Sequence, residues 1–124
     1  MKYFDSNIIG YAFYRNSRQE ACQRAIREGG MTNVLGLIEA YGVIARIIDS
    51  EEANKIIRGI LSSNIAIIDM DTNLLFDALK KSGQVKNGFI DHIHQACALS
   101  HGCECILSYD KDFDGGLVER REPE

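Results

Sequence analysis

The sequence predicts an α/β domain, a three-layer sandwich around a central, mainly parallel sheet of four or five strands. Short apolar runs of strand length alternate along the chain with longer segments of helical period. One run, Ile65-Ala-Ile-Ile, is apolar throughout, as expected for a parallel strand covered on both faces. With 124 residues, 45% of them hydrophobic, residues 1–124 are predicted to form a single domain whose parallel strands are joined by right-handed crossovers.

The first quarter of the chain is predicted to contain one strand and two helices. Ser17 with Glu20 three residues later has the pattern of a capping box at the start of the second helix. Gly29-Gly30 closes that helix. The predicted elements are a strand at Lys2–Asp5 and helices at Ser6–Tyr14 and Ser17–Glu28.

A brief strand at Met31–Asn33 is predicted to lead into a largely buried helix at Val34–Ile48. Only Glu39 and Arg46 are charged in the fifteen positions of that helix, so most of its surface must be covered. Asp49 and Glu52 then form a second capping box, which predicts a further helix running to about Leu61.

The second half of the chain is predicted to alternate three strands with two helices. Asp71 or Thr72 caps the first of these helices, and apolar residues at a 3.6-residue period define the second. The predicted elements are a strand at Ile65–Ile68, a helix ending near Ser82-Gly83, a helix that follows Gly88 and ends at Gly102, a strand at Cys105–Ser108 and a short edge strand at Val118–Arg121.

The overall charge of −4 argues against a protein that coats nucleic acid through bulk electrostatics, but it does not exclude a nuclease. A local basic stretch has two interpretations, a solvated helix face or a track for phosphates. Its members are Arg15, Arg18, Arg24 and Arg27. Uncharged stretches such as Met31–Ile38 are shorter than the ~18 residues of a membrane span, and the first residues do not resemble a signal peptide. We therefore expect a cytoplasmic protein without a membrane partner.

The four cysteines are predicted to be reduced and partly buried. They are Cys22, Cys97, Cys103 and Cys105. His101 near Cys103 and Cys105 superficially resembles a zinc cluster, but the spacing lacks the two-residue gap of common zinc knuckles. A structural zinc site is therefore not expected.

Four acidic residues lie where a domain of this kind normally places apolar residues or turns. They are Asp5, Glu39, Asp91 and Asp110. Asp5 and Asp110 follow two predicted strands, and the carboxyl ends of parallel strands are where open α/β sheets place their sites. Carboxylates gathered at that edge repel one another unless a cation is present, so the pattern indicates a divalent metal site.

Each acid also has a purely structural interpretation. Asp5 could simply be a helix N-cap at a strand-to-helix turn. Glu39 and Arg46, seven residues apart, could share a narrow solvent-exposed stripe of their helix. Asp91 lies in a first helical turn, where the macrodipole stabilises a negative charge by about 0.3–1 kcal/mol.

The remaining polar candidates also have structural interpretations. Asp110, Asp112 and Asp114 alternate after a strand and could form an ordinary loop with local turn hydrogen bonds, although a loop does not require three acids. His92 and His94 are two residues apart and diverge on a helix, so they are predicted to be surface or structural histidines rather than ligands of one metal.

Taken together, four segments resemble the successive motifs of PIN domains, and the resemblance covers nearly the whole chain. The segments are Asp5-Ser-Asn-Ile-Ile, Leu37-Ile-Glu-Ala, Phe89-Ile-Asp-His-Ile-His-Gln-Ala-Cys-Ala-Leu followed by Gly102, and Ile106-Leu-Ser-Tyr-Asp-Lys-Asp-Phe. Each motif alone is weak, and the order of the four carries the resemblance.

The resemblance implies a metal-dependent ribonuclease that acts on single-stranded RNA. It implies that Asp5, Asp91 and Asp110 are catalytic metal ligands and that Glu39 binds the metal directly or through water. Asp112 is an assisting metal ligand, and the polar residues that orient the acids are Ser6, Asn7 and Ser108. The implied cation is Mg²⁺ or Mn²⁺, because hard ions prefer oxygen ligands.

Many small PIN domains resemble VapC toxins, which implies two kinds of protein partner, a small antitoxin and further copies of the chain in a homodimer or higher homo-oligomer. An RNA-processing nuclease and a catalytically inactive, partner-binding PIN module remain as alternatives. Ile67-Ile-Asp-Met-Asp-Thr also matches the start of a haloacid dehalogenase-like phosphatase, with Asp69 as nucleophile and Asp71 as acid, but the 52 residues after Thr72 are few for that scaffold.

Overall fold

The computed structural model describes residues 1–81 and 88–124. A five-stranded parallel sheet has the order β3-β2-β1-β4-β5, and helices cover both of its faces. The predicted α/β sandwich is therefore confirmed. The strands are β1 Lys2–Phe4, β2 Met31–Asn33, β3 Ala66–Ile68, β4 Cys105–Leu107 and β5 Arg120–Arg121. The helices are α1 Ser6–Ala12, α2 Gln19–Glu28, α3 Val34–Ile47, α4 Ser50–Leu61, α5 Thr72–Lys81 and α6 Phe89–Ser100, with a 3₁₀ turn at Lys111–Phe113.

The alternation of side chains along each strand creates two apolar cores, one on each face of the sheet. Tyr3 and Phe4 on β1 illustrate this, because both are fully buried and belong to different cores. Tyr3 lies in the core that α5 and α6 cover, and Phe4 lies in the core that α1 to α4 cover. The helices that cover the first core thus come from the second half of the chain, and those that cover the other core come from the first half.

Two helix boundaries differ from the prediction. The first helix ends at Ala12 rather than Tyr14, and α2 begins at Gln19 with Arg18 at its N-cap, so the predicted Ser17 cap is wrong. The Asn16 side chain takes the capping role in the connecting loop: its carbonyl oxygen accepts from the Arg18 N–H at 2.8 Å, and its amide donates to two carbonyls. Asparagine often forms such side-chain-to-backbone turns.

The predicted caps of α4 and α5 are confirmed. The Asp49 carboxylate accepts from the Glu52 N–H at 2.7 Å, and the Asp71 carboxylate accepts from the Leu74 N–H at 2.9 Å. The predicted end of α5 near Ser82-Gly83 lies outside the described residues. Within the described ranges, no helix has both the length and the apolar character needed to cross a membrane.

Gly30 lies immediately before β2, where two backbones approach closely. A Cβ atom at this position would lie 2.6 Å from the Lys2 carbonyl oxygen and 2.7 Å from the Phe4 ring. We expect Gly30→Ala to lower the free energy of unfolding by about 1–3 kcal/mol, because the strand cannot move away without losing its pairing. Urea denaturation measures the change.

Gly59 provides the matched control, because a Cβ atom there would meet no atom within 4 Å. It lies inside α4, so Gly59→Ala should raise the free energy of unfolding by about 0.5–1 kcal/mol. Equal effects of the two substitutions would contradict the close approach at Gly30.

Candidate metal centre

The carboxyl ends of β1 and β4 lie side by side and carry Asp5 and Ser108. Phe4 pairs with Leu107 in the parallel register, so the residues that follow them are adjacent. The Ser108 hydroxyl donates to Asp5 Oδ2 at 2.6 Å, and the Ser6 N–H donates to Asp5 Oδ1 at 2.7 Å. Asp5 is therefore the N-cap of α1 and also a carboxylate held at the sheet edge, so both interpretations of this residue hold at once.

The Ser108 hydroxyl links three parts of this edge. It donates to Asp5 and accepts from the Asn7 side-chain amide at 3.3 Å and from the Asp110 N–H at 2.9 Å. The Asn7 carbonyl oxygen is buried and has no hydrogen-bond partner within the described part of the chain. Three polar side chains, Ser6, Asn7 and Ser108, thus lie around Asp5, in the places that the sequence predicted for orienting residues.

A first acidic group consists of Asp91, Asp110 and Asp112. One carboxylate oxygen of each lies within 4.8 Å of the others. Asp91 comes from the first turn of α6, and Asp110 caps the 3₁₀ turn by accepting from the Asp112 N–H at 2.9 Å. The loop after β4 therefore brings two acids towards the start of α6.

A second group consists of Asp5, Glu39 and His94, whose ligand atoms also lie within 4.8 Å of one another. His94 Nε2 is 2.7 Å from Glu39 Oε1, and His94 Nδ1 is 2.7 Å from the Tyr3 hydroxyl. Glu39 has a side chain 34% exposed and contacts the imidazole, so it does not form the predicted solvent stripe with Arg46. The five predicted acids thus fall into two neighbouring groups.

His94 is the site residue that the sequence interpretation missed. Both His92 and His94 are buried, at 3% and 1% exposure, so of the two predicted alternatives the structural one holds and the surface one does not. His94 lies three residues after Asp91, and residues three apart share a helix face. That spacing was the available signal, because it directs His94 towards the same edge of the sheet as the acid.

Burial and mutual repulsion make the ionised form of these acids unfavourable in the absence of a cation. Burial, followed by the nearby charges of Asp110 and Asp5, raises the pKa of Asp91 to about 6. Burial also raises the pKa of Asp5, partly offset by the Ser108 hydrogen bond and by His94. Negative charge is therefore unfavourable at both positions unless a cation compensates for it.

The donor set fits a hard divalent cation. Five carboxylates supply oxygen atoms within two compact groups, and oxygen donors are those that Mg²⁺ and Mn²⁺ prefer. The raised pKa of Asp91 shows an excess of negative charge that such a cation would neutralise. The buried, unpartnered oxygen of Asn7 adds a further acceptor near Asp5.

Two other sequence candidates lie away from this edge. Asp69 and Asp71 are exposed and follow the edge strand β3, where Asp71 caps α5. The four cysteines are free and buried, as predicted, and none of them belongs to a potential metal group among residues 1–81 and 88–124. The candidate metal site thus lies at the carboxyl ends of β1 and β4.

Solved structures of low sequence identity have the same fold. VapC20 of Mycobacterium tuberculosis, described as a sarcin-ricin loop cleaving toxin, superposes with a TM-score of 0.85 at 16% identity, covering 99% of this chain and 100% of that chain. A toxin-antitoxin complex from Klebsiella pneumoniae gives 0.76 at 16% identity, covering 100% and 98%. VapBC2 from Rickettsia felis, bound to a DNA fragment from its promoter, gives 0.70 at 15% identity and covers 100% of both chains.

No curated protein matches the chain significantly by sequence. The model of the PIN domain family, in contrast, matches residues 2–115, which include all of the acids described above. This match covers more than half of the sequence and agrees with the parallel sheet and the strand-end acids. The chain belongs to the PIN domain family.

Proposed function

We propose that this chain is a Mg²⁺- or Mn²⁺-dependent endoribonuclease that hydrolyses phosphodiester bonds of single-stranded RNA. The observation that carries the proposal is the pair of acidic groups at the carboxyl edge of β1 and β4. Structural domains rarely keep five carboxylates together without a cation, because each raises the energy of the others. The family match supports the proposal, since the resemblance to PIN domains implies this activity.

Each acid has a role in this proposal. Asp5, Asp91 and Asp110 bind the cation directly, Glu39 binds it directly or through water, and Asp112 assists from the exposed side of the loop. When bound, a divalent cation lowers the pKa of a coordinated water and stabilises charge on the phosphate oxygens. The protein side chains fix where this chemistry takes place.

The neighbouring polar groups orient the acids. Ser108 and the Ser6 N–H hold the two oxygens of Asp5, which leaves the remaining lone pairs of both oxygens for a cation. Because an ionised carboxylate can only accept, His94 Nε2 is the donor to Glu39 Oε1, and within residues 1–81 and 88–124 Glu39 Oε2 accepts no hydrogen bond. The raised pKa of Asp91 belongs to the metal-free site, and a bound cation would favour the ionised form of this carboxyl.

Single-stranded RNA suits the position of the site. The acids lie at an open edge of the sheet, where Glu39 and Asp112 are partly or fully exposed, so an unpaired strand can place a phosphate against them. Sequence-specific recognition of RNA usually targets such accessible single strands rather than duplex grooves.

The cellular role that we propose is that of a cytoplasmic toxin in a toxin-antitoxin pair. Two similarly folded structures carry toxin or toxin-antitoxin descriptions. An exposed apolar groove between α3 and α4 offers a surface for a small antitoxin or a second copy of the chain; its lining residues are Val34, Leu37, Ile38, Tyr41, Ile57 and Leu61. A general RNA-processing role is the alternative within the same chemistry.

The direct test is RNA cleavage by the purified chain with added Mg²⁺ or Mn²⁺. We expect a pool of single-stranded RNA to be cut with either ion and to remain intact in EDTA. Cleavage that continues in EDTA would contradict the proposal. Intact RNA with both ions would favour the catalytically inactive, partner-binding module instead.

The raised pKa of Asp91 predicts how the stability of the protein depends on pH. Without metal, the folded state holds a proton on Asp91 more tightly than the unfolded state, so the free energy of unfolding should fall as pH rises from about 4 through 6. Cations bind the ionised acids, so Mn²⁺ should raise the melting temperature clearly at about pH 8 and little near pH 4. Calorimetry at both pH values measures this, and equal Mn²⁺ stabilisation at the two would contradict it.

A further inference from the structure

Two tyrosine rings form a fixed aromatic corner beside the metal centre. Tyr11 on α1 and Tyr109 after β4 meet edge to face, with ring centroids 5.6 Å apart and planes at 87°. Both rings pack on the apolar core beneath α1 to α4. Because a tyrosine hydroxyl is neutral at physiological pH, the corner is an uncharged surface of fixed geometry.

The guanidinium of Arg18 lies on this corner. Its central carbon is 4.2 Å from the Tyr109 ring centroid and 5.0 Å from that of Tyr11, and its Nη1 donates to the Tyr11 hydroxyl at 3.0 Å. Stacking of this kind fixes the plane of a guanidinium while leaving most of its N–H donors available. Arg18 is thus an exposed cation whose orientation is set before any ligand arrives.

Arg18 differs from Arg24 of the same basic stretch. Arg24 pairs with the Glu20 carboxylate at 3.7 Å and donates to the Glu124 carbonyl at 2.9 and 3.2 Å. In the part of the chain that the structure describes, no carboxylate lies within 4 Å of the Arg18 guanidinium. Arg18 therefore keeps its charge available for a ligand.

Both tyrosines of the corner lie close in the chain to residues of the candidate metal site. Tyr109 lies between Ser108 and Asp110, so its Cα is about 3.8 Å from the Cα of each neighbour. Tyr11 lies on α1, which begins directly after Asp5. The Ser108 hydroxyl contacts Asp5, whereas the Tyr109 side chain packs towards Cys22 and α2, on the other side of this segment. The corner that holds Arg18 is thus built on residues adjacent in the chain to Ser108 and Asp110, on the side of this segment that Cys22 and α2 cover.

We propose that Arg18 binds a backbone phosphate of the single-stranded RNA that the metal centre cleaves, next to the phosphate that is cut. The inference rests on the proposed ribonuclease function and adds a substrate-binding residue to it. The need is electrostatic: the chain carries a net charge of −4 and gathers five acids at this edge, so an RNA strand requires a cation beside the site. A planar guanidinium matches phosphate geometry through paired N–H donors.

The test measures RNA binding without cleavage. A fluorescently labelled single-stranded RNA of randomised sequence is titrated with the parent chain, with Arg18→Ala and with the less truncating Arg18→Gln, all in EDTA. We expect each Arg18 variant to raise Kd about tenfold, the size of a lost hydrogen-bonded charge contact. The slope of log K against log salt concentration should also become shallower by about 0.7, because one phosphate contact to a single strand is lost.

Arg27 supplies a matched control, since it is exposed on the same helix and its substitution removes the same charge. It lies nine residues further along, about 13 Å away at the rise of an α-helix. Arg27→Ala should leave Kd within about twofold of the parent value and the salt slope nearly unchanged.

The outcomes separate this inference from the proposed function. If the parent cleaves RNA with Mn²⁺ but Arg18→Ala matches Arg27→Ala in both Kd and salt slope, the phosphate contact is wrong and the ribonuclease stands. That result would favour a role for Arg18 in binding an acidic protein partner and not RNA. A parent chain that binds RNA with the predicted Arg18 dependence but cleaves nothing would overturn the nuclease instead.

Discussion

Replacing Asp91 with asparagine is expected to abolish RNA cleavage and, at the same time, to stabilise the metal-free protein. Asparagine keeps the shape of the side chain but removes a charge that burial and two neighbouring carboxylates make unfavourable. The loss of a cation ligand should lower the cleavage rate by about a thousandfold or more, the range seen when key electrostatic groups are removed. The free energy of unfolding in EDTA at neutral pH should rise by about 1 kcal/mol, a value below the full effect of the pKa shift because Asp91 is only partly buried and solvent screens its charge.

Asp69→Asn is the matched control for this experiment. Asp69 also follows a strand of the sheet, but it is exposed on the edge strand and lies in neither acidic group. Its substitution should leave cleavage unchanged and shift stability by less than about 0.5 kcal/mol. Cleavage by Asp91→Asn at the parent rate would remove Asp91 from the site, and loss of activity in Asp69→Asn would revive the phosphatase alternative.

The main features of the fold were predictable because each follows from local pattern. The apolar run at Ile65-Ala-Ile-Ile, the caps at Asp49 and Asp71 and the glycine pair at Gly29-Gly30 all act through neighbouring residues, so they can be read without tertiary contacts. The loop between α1 and α2 was less predictable. There the Asn16 carbonyl oxygen accepts from the Arg18 N–H at the start of α2, and the Asn16 amide donates to the Tyr11 and Tyr14 carbonyls, contacts that the capping pattern at Ser17 did not indicate.

The acids of the candidate site were predictable for a different reason. Asp5 and Asp110 follow strands, and parallel strands place their carboxyl ends together whatever the helices do. The partner of Glu39 was not predictable from periodicity, because it comes from α6, 55 residues further along the chain. The structural interpretation of Glu39 involved only Arg46 on its own helix, whereas in the structure Glu39 contacts His94 on α6.

The corner of Tyr11, Tyr109 and Arg18 was not predictable from the sequence for a related reason. In sequence, the basic stretch that contains Arg18 resembles an ordinary solvated helix face. Only the packing of α1 and α2 on the sheet brings the guanidinium over the ring of Tyr109. Long-range pairings of this kind depend on tertiary structure, so local patterns do not reveal them.

His94→Ala is expected to be the most destabilising substitution in the site. The imidazole is 1% exposed and connects the Tyr3 hydroxyl to Glu39, so its removal leaves a cavity and separates two polar partners. We expect the free energy of unfolding in EDTA to fall by about 2–4 kcal/mol. Urea denaturation measures this loss, and exposed His101→Ala is the control, with a change below about 0.5 kcal/mol.

The conservative variant His94→Gln distinguishes a packing role from a positioning role. Burial raises the pKa of Tyr3 far above its usual range, so its hydroxyl stays protonated and can donate to His94 Nδ1, while Nε2–H donates to Glu39. A glutamine amide offers both an acceptor and a donor, so it should restore part of the stability and of the Mn²⁺ affinity that alanine removes. If the imidazole only fills space, glutamine should restore stability without restoring Mn²⁺ affinity. Recovery of both would mean that the hydrogen bond to Glu39 prepares this carboxylate for the cation.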